Sequence, residues 1–430
     1  MSRSGVRIVL SLLLIVTFLL SACAPGQPPA AGNAPAASSE SAAPAAAAEP
    51  VTLVLWHNHP EWKDRVQAIL DVFESEHPNI KIALEEIPGP NYDIKRNTAV
   101  AAGEAPDIFG YAPGLQLRGA AESGYIHDLT DLLDITALTP SARDASMVDG
   151  KVYAVPVLGS YTVGLYYHRD IFAKYNLTPP ATWEELFVVA EKLKAEGVAP
   201  LMVPAQDGVI PFFLYYLAAS SILKADGFEK VRSGERKLTD PDLLKVSQFL
   251  HDLYPYFQEG ALGMTYVEGK ALFAHGQTAM MEGGSADYAG FTEVNPDVDL
   301  GVVPFPSPDG IGAGSTVTGM EVPFAISATT KHLDEAVIFL QWMMSKTPGQ
   351  MVVDTITLPT IEGISPSDNP TMKEMIEASK SNDVRVWYEY PETAGVSGAV
   401  IAHVQELFTD AITVEEFAQF LQDSIVPSGQ

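Results

Sequence analysis

The spacing of apolar residues at the start of the globular part predicts a strand, a helix and a second strand. Residues 51–56 are apolar except for Thr52, which is typical of a strand that is buried on both faces. Apolar residues then recur at helical spacing, at Val66, Ile69, Leu70 and Phe73. They next alternate with polar residues, at Ile80, Ile82 and Leu84. Because a helix joins the two strands, the pattern predicts a βαβ unit with parallel strands.

Helical patterns recur along the rest of the chain. Thr182 and Glu185 have the spacing of a capping box, and Asp240 with Pro241 is typical of a helix start. Apolar residues at helical spacing follow the box at Leu186, Val189, Ala190 and Leu193, and recur at Ala336, Phe339, Leu340 and Met343. The region from Thr371 to the end is predicted to be mostly helical. The chain is too long for one sheet, so we expect an α/β protein with two lobes.

The first 50 residues predict an export signal, a lipid anchor and a tether. Arg3 and Arg7 precede an apolar run over residues 8–20, which is too short to span a bilayer comfortably and fits a signal peptide. The run ends in Leu-Ser-Ala before Cys23, which resembles the bacterial lipobox. We therefore expect a signal peptide over 1–22, and a lipidated Cys23 with an Ala/Pro-rich tether over 23–50. An ordinary signal peptide with a chance cysteine is the alternative.

The charge balance argues against several classes of partner and site. The chain has 26 basic and 54 acidic residues and a formal charge of −28, so it repels phosphate backbones and anionic lipid surfaces. We expect no nucleic-acid partner. Cys23 is the one cysteine, so no disulfide forms within the chain. The sequence contains no nucleophile elbow, P-loop or His-Glu-x-x-His motif, and we expect neither an enzyme nor a cofactor.

Five short stretches, taken in order, carry a family resemblance. They are residues 53–56 with 72–82, residues 102–109, residues 149–156 with 165–170, residues 179–186 and residues 276–284. Together they resemble the extracellular solute-binding proteins of ABC sugar importers, of the maltose-binding-protein type, over residues 51–430. The family usually has Asn in the place of His168. It often has an aromatic residue in the place of Ala286, for which Tyr288 is a candidate substitute.

The resemblance implies a periplasmic-binding-protein-like α/β fold, with two lobes that are joined by a hinge and close on a ligand between them. Lobe one would comprise residues 51–157 and 316–365, and lobe two residues 158–315 and 366–430. The cleft would lie at strand ends and helix starts, as in open α/β sheets. The implied function is that of a lipid-anchored monomer at the cell surface or in the periplasm. It would capture a mono- or oligosaccharide and deliver it to the transmembrane subunits of an ABC permease.

Sugar recognition needs flat faces that stack on sugar rings and planar polar groups that bind hydroxyls. By alignment with the family's cleft, the aromatic candidates are Trp56, Tyr111, Tyr161, Phe212, Tyr288 and Trp387. The polar candidates are Asn58, His59, Glu61, Asp207, Glu282 and Glu321. We expect Tyr111 and Trp387 to stack on the ligand from opposite lobes. Packing in a core is the alternative for Trp56 and Trp387, and Trp183 is assigned to packing beside its helix cap.

Alternatives remain for the histidines and for the solute. His57 and His59 could ligate a metal, but no third ligand follows at a recognisable spacing. We therefore favour hydrogen bonds to a ligand or to each other, and expect no metal. The predicted cleft is acidic and aromatic and has no basic residue, which disfavours a glycerophosphodiester and leaves a polyamine open. A ligand-sensing domain of a signalling receptor is the remaining alternative.

Overall fold

A computed structural model of the chain describes residues 50–310, 317–366, 368–379 and 394–425. The strands are β1 (Val51–His57), β2 (Ile80–Glu86), β3 (Ile108–Gly110), β4 (Met147–Val148), β5 (Lys151–Val152), β6 (Ser160–His168), β7 (Ala199–Met202), β8 (Thr278–Gly284), β9 (Leu300–Val303), β10 (Val317–Met320) and β11 (Phe324–Ile326). The helices are α1 (Lys63–Glu76), α2 (Gly89–Ala102), α3 (Leu115–Glu122), α4 (Pro140–Ala145), α5 (Arg169–Lys174), α6 (Trp183–Ala195), α7 (Val209–Arg232), α8 (Pro241–Leu253), α9 (Tyr266–Ala274), α10 (Asp287–Val294), α11 (Leu333–Met343), α12 (Lys346–Thr355), α13 (Pro370–Ser379), α14 (Ala394–Phe408) and α15 (Val414–Asp423). Within these ranges, every helix is too short or too polar to cross a membrane.

The first lobe is built on a sheet with the strand order β11-β3-β1-β2. β1 and β2 run parallel with Val51 opposite Ile80, and α1 connects them, which confirms the predicted βαβ unit. Successive side chains of β1 enter different buried clusters, Leu53 and Leu55 on one side and Trp56 on the other. The apolar run at the start of the globular part is therefore a strand that is covered on both faces.

Helices α1 and α11 cover one face of the first sheet. α1 buries the four predicted residues of its apolar stripe, and α11 buries its own four. Phe73 of α1 meets Phe339 of α11 edge-on, with ring centroids 5.0 Å apart. Burying each such side chain contributes about 1.5–3 kcal/mol. This packing holds α1 against β1, so that the start of α1 and the end of β1 lie together at one edge of the lobe.

The second lobe is built on a sheet with the order β10-β6-β8-β7, in which β9 also pairs with β6. Met280 and Met281 of β8 enter separate clusters, because successive strand residues point to opposite faces. Helices α6, α7, α8, α14 and α15 cover one face, and α9, α10 and α13 cover the other. The capping box of α6 is present, and Trp183 stacks on Phe249 at 4.2 Å, as the sequence predicted.

In the described residues, the chain passes between the two sheets before β6, after β10 and after α12. Ser160 and Leu358 exchange backbone hydrogen bonds of 3.0 and 3.1 Å, which ties two of these connections together. Residues 317–320, which the sequence assigned to lobe one, pair as β10 with β6 of the second sheet. That boundary therefore falls after Met320, because the strand ladder continues to this residue. The other lobe boundaries stay predictions.

Candidate ligand-binding site

The turn after β1 carries a compact group of polar residues. β1 ends directly before Asn58, and a short 3-10 helix over Pro60–Trp62 follows, so Asn58 and His59 lie at the carboxyl end of the first sheet. Nδ1 of His59 lies 2.8 Å from Oε1 of Glu61, and its Nε2 lies 3.4 Å from Oε2 of Glu321. The structure thus brings Glu321 to His59 and Glu61, which are its distant partners in the sequence.

The two carboxylates keep the His59 ring protonated. Burial lowers the pKa of His59, but the hydrogen bonds and charges of Glu321 and Glu61 outweigh this effect and raise it to about 10. Burial likewise raises the pKa of Glu61, but the His59 bond and the charges of His59 and Lys270 bring it below its usual range. At neutral pH the group is therefore an imidazolium between two carboxylates, which makes its hydrogen bonds charge-assisted.

Trp62 packs against one face of the His59 ring. The two rings stack with centroids 4.1 Å apart and an interplanar angle of 11°. Trp62 is 3% exposed and belongs to the first-lobe core, so the stack is anchored in that core. We call His59, Glu61, Trp62 and Glu321 the first wall. Trp62 was not among the predicted site residues. Its position three residues after His59, in the short helix that follows β1, could have indicated a contact between the two rings.

The two histidines each bond a carboxylate rather than each other. Nδ1 of His57 lies 3.0 Å from Oε2 of Glu86 on the neighbouring strand, and both side chains are buried. The rings of His57 and His59 are 5.5 Å apart and tilted by 43°. Among the described residues, no group of three or more His, Cys, Asp or Glu is placed to hold a metal ion.

Glu321 links the first wall to the connection between the lobes. It lies between β10 and β11, where the chain returns from the second sheet to the first. Its backbone N–H donates to the carbonyl of Gly159, on the segment that leads into β6, at 3.1 Å. The residue is 9% exposed. His59 therefore contacts Glu321, which lies on one connection between the lobes and is hydrogen-bonded to another.

The end of β8 carries a buried carboxyl group on the second lobe. Glu282 is 2% exposed, and within the described residues its Oε2 has no hydrogen-bond partner. Burial, together with the negative charge of Asp287, raises the pKa of Glu282 well above its usual range. Glycines follow it, and the last of them donates its N–H to Oδ2 of Asp287 at 2.8 Å. The surroundings of this carboxyl near the end of β8 therefore favour its protonated form more than water does.

Asp287 and Lys270 complete what we call the second wall, which consists of Lys270, Glu282 and Asp287. Nζ of Lys270 lies 3.2 Å from Oδ1 of Asp287 and 4.5 Å from the centroid of the Tyr266 ring. The charge of Lys270 also lowers the pKa of Glu61 on the first wall. The two walls therefore face each other closely enough to interact electrostatically.

The expectation of a cleft without basic residues is wrong. Besides Lys270 and the protonated His59, Arg65 of α1 forms an ion pair with Glu293 of α10, which joins the two lobes directly. Arg65 and Glu293 are 228 residues apart in the chain, and neither stands in a motif that marks it as a cleft residue. Only the folded structure brings such pairs together, so periodicity and spacing could not reveal them.

Tyr111 follows β3, as predicted, but is only 5% exposed. The guanidinium of Arg96 lies 4.1 Å from the centroid of its ring, and Phe109 packs against the ring at 5.5 Å. Nη1 of Arg96 also donates to the carbonyl of Gly110 at 3.0 Å, which fixes the end of β3. One face of the Tyr111 ring is therefore covered by protein, and its stacking on a ligand stays a prediction.

Two other aromatic candidates lie in cores. Trp56 is 7% exposed, and Lys95 lies 4.3 Å over its ring, so packing is the interpretation that the structure favours. Phe212 is 5% exposed and packs against Phe213 and Tyr216 within the second-lobe core. Packing is therefore the interpretation that the structure favours for Phe212, and its contact with a ligand stays a prediction.

The remaining candidates lie at separate places. Tyr161 is half-buried, and its ring lies against Gly319 of β10, where an added Cβ would come within 2.4 Å of it. Asp207 is exposed and accepts the N–H of Val209 at the start of α7 at 3.1 Å. Tyr288 is half-buried and lines a cavity of about 350 Å³ formed by α10, the end of α12 and the start of α13. Trp387 and Cys23 lie outside the described residues.

Comparison with known proteins identifies the family. The profile of the family described as "Bacterial extracellular solute-binding protein" matches residues 68–378, which is more than half of the chain. The chain belongs to this family. Its members are solute-binding proteins and not enzymes, and the family's extracellular character implies a location outside the cytoplasm.

Relatives within the solute-binding protein family cover most of the chain. The "Multiple sugar-binding protein" of Streptococcus mutans is 24% identical over 351 residues, which is 79% of this chain and 82% of the relative. The "Melibiose/raffinose/stachyose-binding protein MelE" of Bacillus subtilis is 23% identical over 319 residues, 69% of this chain and 71% of the relative. Both alignments extend over both lobes.

Solved structures confirm the two-lobed fold of a solute-binding protein. A structure described as "SBP RafE in complex with raffinose" has a TM-score of 0.75 and 25% identity, covering 87% of this chain and 98% of its own. A protein from work on xylan utilization by Caldanaerobius polysaccharolyticus has a TM-score of 0.74 and 26% identity, covering 87% of this chain and 100% of its own. The predicted periplasmic-binding-protein-like α/β fold, with a cleft between two lobes, is therefore confirmed.

Proposed function

We propose that this protein captures a carbohydrate outside the cytoplasm and delivers it to the transmembrane subunits of an ABC importer. The observation that carries the proposal is the first wall, where a flat ring stack lies between two carboxylates at the mouth of the first sheet. Sugar sites combine flat faces with planar polar groups that accept hydroxyl protons. The position at the carboxyl end of β1 agrees with where open α/β sheets bind ligands.

The relatives support an oligosaccharide as the ligand. The Streptococcus mutans protein is named for multiple sugars, the Bacillus subtilis protein for melibiose, raffinose and stachyose, and the RafE structure contains raffinose. These similarities extend over the greater part of the chain. We infer from them that the ligand is an oligosaccharide.

The charges of the walls suit a neutral solute. A polyamine would be attracted by Glu61 and Glu321 but repelled by Lys270 and the protonated ring of His59. A glycerophosphodiester would meet the carboxylates of Glu61 and Glu321, which repel an anion. A neutral solute avoids both penalties, because each charged group of the first wall already has a partner of opposite sign.

A melting-temperature screen tests the ligand class. The panel contains raffinose, stachyose, melibiose, xylotriose and chitotriose, with spermidine and glycerophosphocholine as non-sugar solutes. A ligand at 100 times its Kd stabilises the folded state by about 2.7 kcal/mol, which is easily measured. We expect at least one sugar to raise the melting temperature. A shift with spermidine or glycerophosphocholine and none with any sugar would contradict the proposal.

We also propose that the protein is a monomer without catalytic activity, tethered to the membrane by a lipid on Cys23. The residues that support the anchor are the apolar run over residues 8–20, the small residues before Cys23 and the tether behind it. Metabolic labelling with a radioactive fatty acid should mark the wild type and leave the Cys23→Ala variant unmarked. An unlabelled wild type would refute the anchor. The variant should bind sugar as the wild type does, because the tether separates Cys23 from the fold.

A further inference from the structure

The His59 ring is held on one face and at both nitrogens, and it lies 5.5 Å from the ring of His57 at a tilt of 43°. Its inner face stacks on Trp62 at 4.1 Å, with the ring planes only 11° apart. Its Nδ1 lies 2.8 Å from Glu61, and its Nε2 lies 3.4 Å from Glu321. The side chain is nevertheless 28% exposed. Because the nitrogens and the inner face are engaged, this exposure belongs to the outer face and the carbon edge of the ring.

This arrangement changes the role that the sequence gave to His59. The residue was expected to bind hydroxyls, but its Nδ1 already forms a 2.8 Å hydrogen bond with Glu61, and its Nε2 forms a 3.4 Å ion pair with Glu321. A ligand that took either nitrogen would have to break a charge-assisted bond, which costs more than a neutral hydrogen bond. The outer face can be used at no such cost, since the stack and the two bonds fix the plane of the ring before any ligand arrives.

We propose that the outer face of His59 is a stacking platform for one ring of a neutral sugar, beside which the free oxygen of Glu61 accepts a hydroxyl proton. This inference rests on the proposed carbohydrate ligand and assigns His59 to face-on contact. Flat, rigid side chains offer contact area to a sugar ring at little entropic cost. Lys270 lies on the second wall, and its charge lowers the pKa of Glu61 on the first wall.

The charges around the ring favour a neutral sugar over an acidic one. The positive charge of His59 is compensated by two carboxylates, so the first wall as a whole carries net negative charge. Glu61 is exposed at the rim, where the carboxylate of a uronic acid unit would approach it. The resulting like-charge repulsion disfavours such a ligand. The platform thus serves as a determinant of specificity as well as of affinity.

Two substitutions separate a platform from a hydrogen-bonding residue. His59→Phe keeps a flat ring over Trp62 and removes both ring nitrogens, whereas His59→Gln keeps polar atoms and removes the ring. Calorimetric titrations would use raffinose, xylotriose and chitotriose, with tri-galacturonic acid as the acidic probe. We expect His59→Phe to stay within about threefold of wild-type affinity and His59→Gln to lose about tenfold or more.

His403 provides matched control variants. Its ring stacks on Phe420 at 4.2 Å and 14°, its Nδ1 lies 2.7 Å from Glu406, and it is 31% exposed. His403→Phe and His403→Gln should leave sugar affinity unchanged. Two results would refute the platform while sugar capture stands. The first is that a neutral sugar binds the wild type but has a higher affinity for His59→Gln than for His59→Phe. The second is that tri-galacturonic acid binds the wild type more tightly than the neutral sugars do. If the wild type binds none of these probes and no sugar of the melting-temperature panel, carbohydrate capture itself fails, and the platform with it.

Discussion

The carboxyl groups of the two walls have different surroundings. On the first wall, Glu61 and Glu321 both pair with the protonated His59, and the three side chains keep part of their surface in solvent. On the second wall, Glu282 is 2% exposed, and within the described residues its Oε2 has no hydrogen-bond partner. Both walls lie at the ends of sheet strands, so the difference arises from the neighbours of each group and not from its place in the fold.

This difference shows which wall is complete before a ligand binds. A group of polar side chains that all have partners, such as the first wall, is rigid and carries no penalty for unpaired atoms. A buried carboxyl oxygen without a partner destabilises the folded state by about 1–3 kcal/mol. Such groups are found where a protein uses them, so we expect the second wall to gain a partner when the ligand arrives.

Removing the support of the first wall should have the largest effect. Trp62→Ala leaves a cavity in the first-lobe core and takes away the ring under His59, so we expect a loss of about 3–5 kcal/mol in unfolding free energy. Sugar affinity should fall as well, because the His59 ring is no longer held flat. Urea denaturation and calorimetric titration measure the two effects. Trp183→Ala, which removes the Trp183–Phe249 stack, should destabilise without changing affinity, and equal affinities in the two variants would contradict this role.

The substitution Glu282→Gln should change the pH dependence of the free energy of unfolding. The folded pKa of Glu282 is raised above the unfolded value near 4.5, so below pH 4.5 both states are protonated and the group has no effect. As the pH rises above 4.5, the unfolded state loses its proton first, and the wild type loses stability. Glu282→Gln should therefore be about 1–3 kcal/mol more stable than the wild type at pH 8 and nearly equal at pH 4.

Urea midpoints at pH 4, 6 and 8 check this prediction. Glu184→Gln serves as the control, because Glu184 is exposed on α6 and its replacement should leave the profile of the wild type unchanged. Parallel profiles for the wild type and Glu282→Gln would show that burial of this carboxyl carries no penalty. The contrast between the two walls would then be wrong.

The first wall should also lose stability as the pH rises, but over a higher pH range, because its stabilising contact is lost only when His59 gives up its proton. The pKa of His59 is raised from 6.5 to about 10, so its stabilising effect is complete below pH 6.5 and is lost as the pH rises to 10. We expect His59→Gln to cost about 1–2 kcal/mol at pH 6 and progressively less towards pH 10. Nuclear magnetic resonance of the labelled ring should show both nitrogens protonated at pH 8. A ring that titrates near pH 6.5 would contradict the imidazolium assignment.

The ion pair between the lobes should contribute least. Arg65→Gln removes the contact with Glu293 on α10, and such partly exposed pairs contribute less than about 1 kcal/mol. We expect sugar affinity to fall by up to about fivefold at low salt and the difference to disappear at high salt. Arg118→Gln is the matched control, since Arg118 pairs with Asp149 within the first lobe. An equal effect of both substitutions on affinity would exclude a role in lobe closure.

Local patterns were sufficient to predict much of the fold. The stripe of α1 and the capping box at Thr182 were read correctly, because helical periodicity and capping depend on residues a few positions apart. β10 was placed in the wrong lobe. Which sheet a short strand joins is decided by its partner, and the partner of Val317 is Val163, far away in the sequence.

The candidate site could be predicted only in part, for the same reason. His59 and Glu61 follow the first strand directly, and their neighbourhood could be read from the sequence. The effect of Lys270 could not be predicted, because Lys270 lies on the second lobe and its charge lowers the pKa of Glu61 only in the folded protein. Phe212 shows a second limit of sequence patterns, since an aromatic residue near a helix start is as suitable for a core as for a ligand, and the structure shows that it is buried.

Hydrogen–deuterium exchange of the wild-type protein tests most directly whether the two walls form one sugar site. The measurement compares the free protein with the protein saturated by the sugar that gives the largest melting shift. We expect slower exchange in both residues 57–65 and residues 280–288, because a ligand held between the walls protects both segments. Protection of one segment only, or of neither while the sugar binds, would contradict the proposed site.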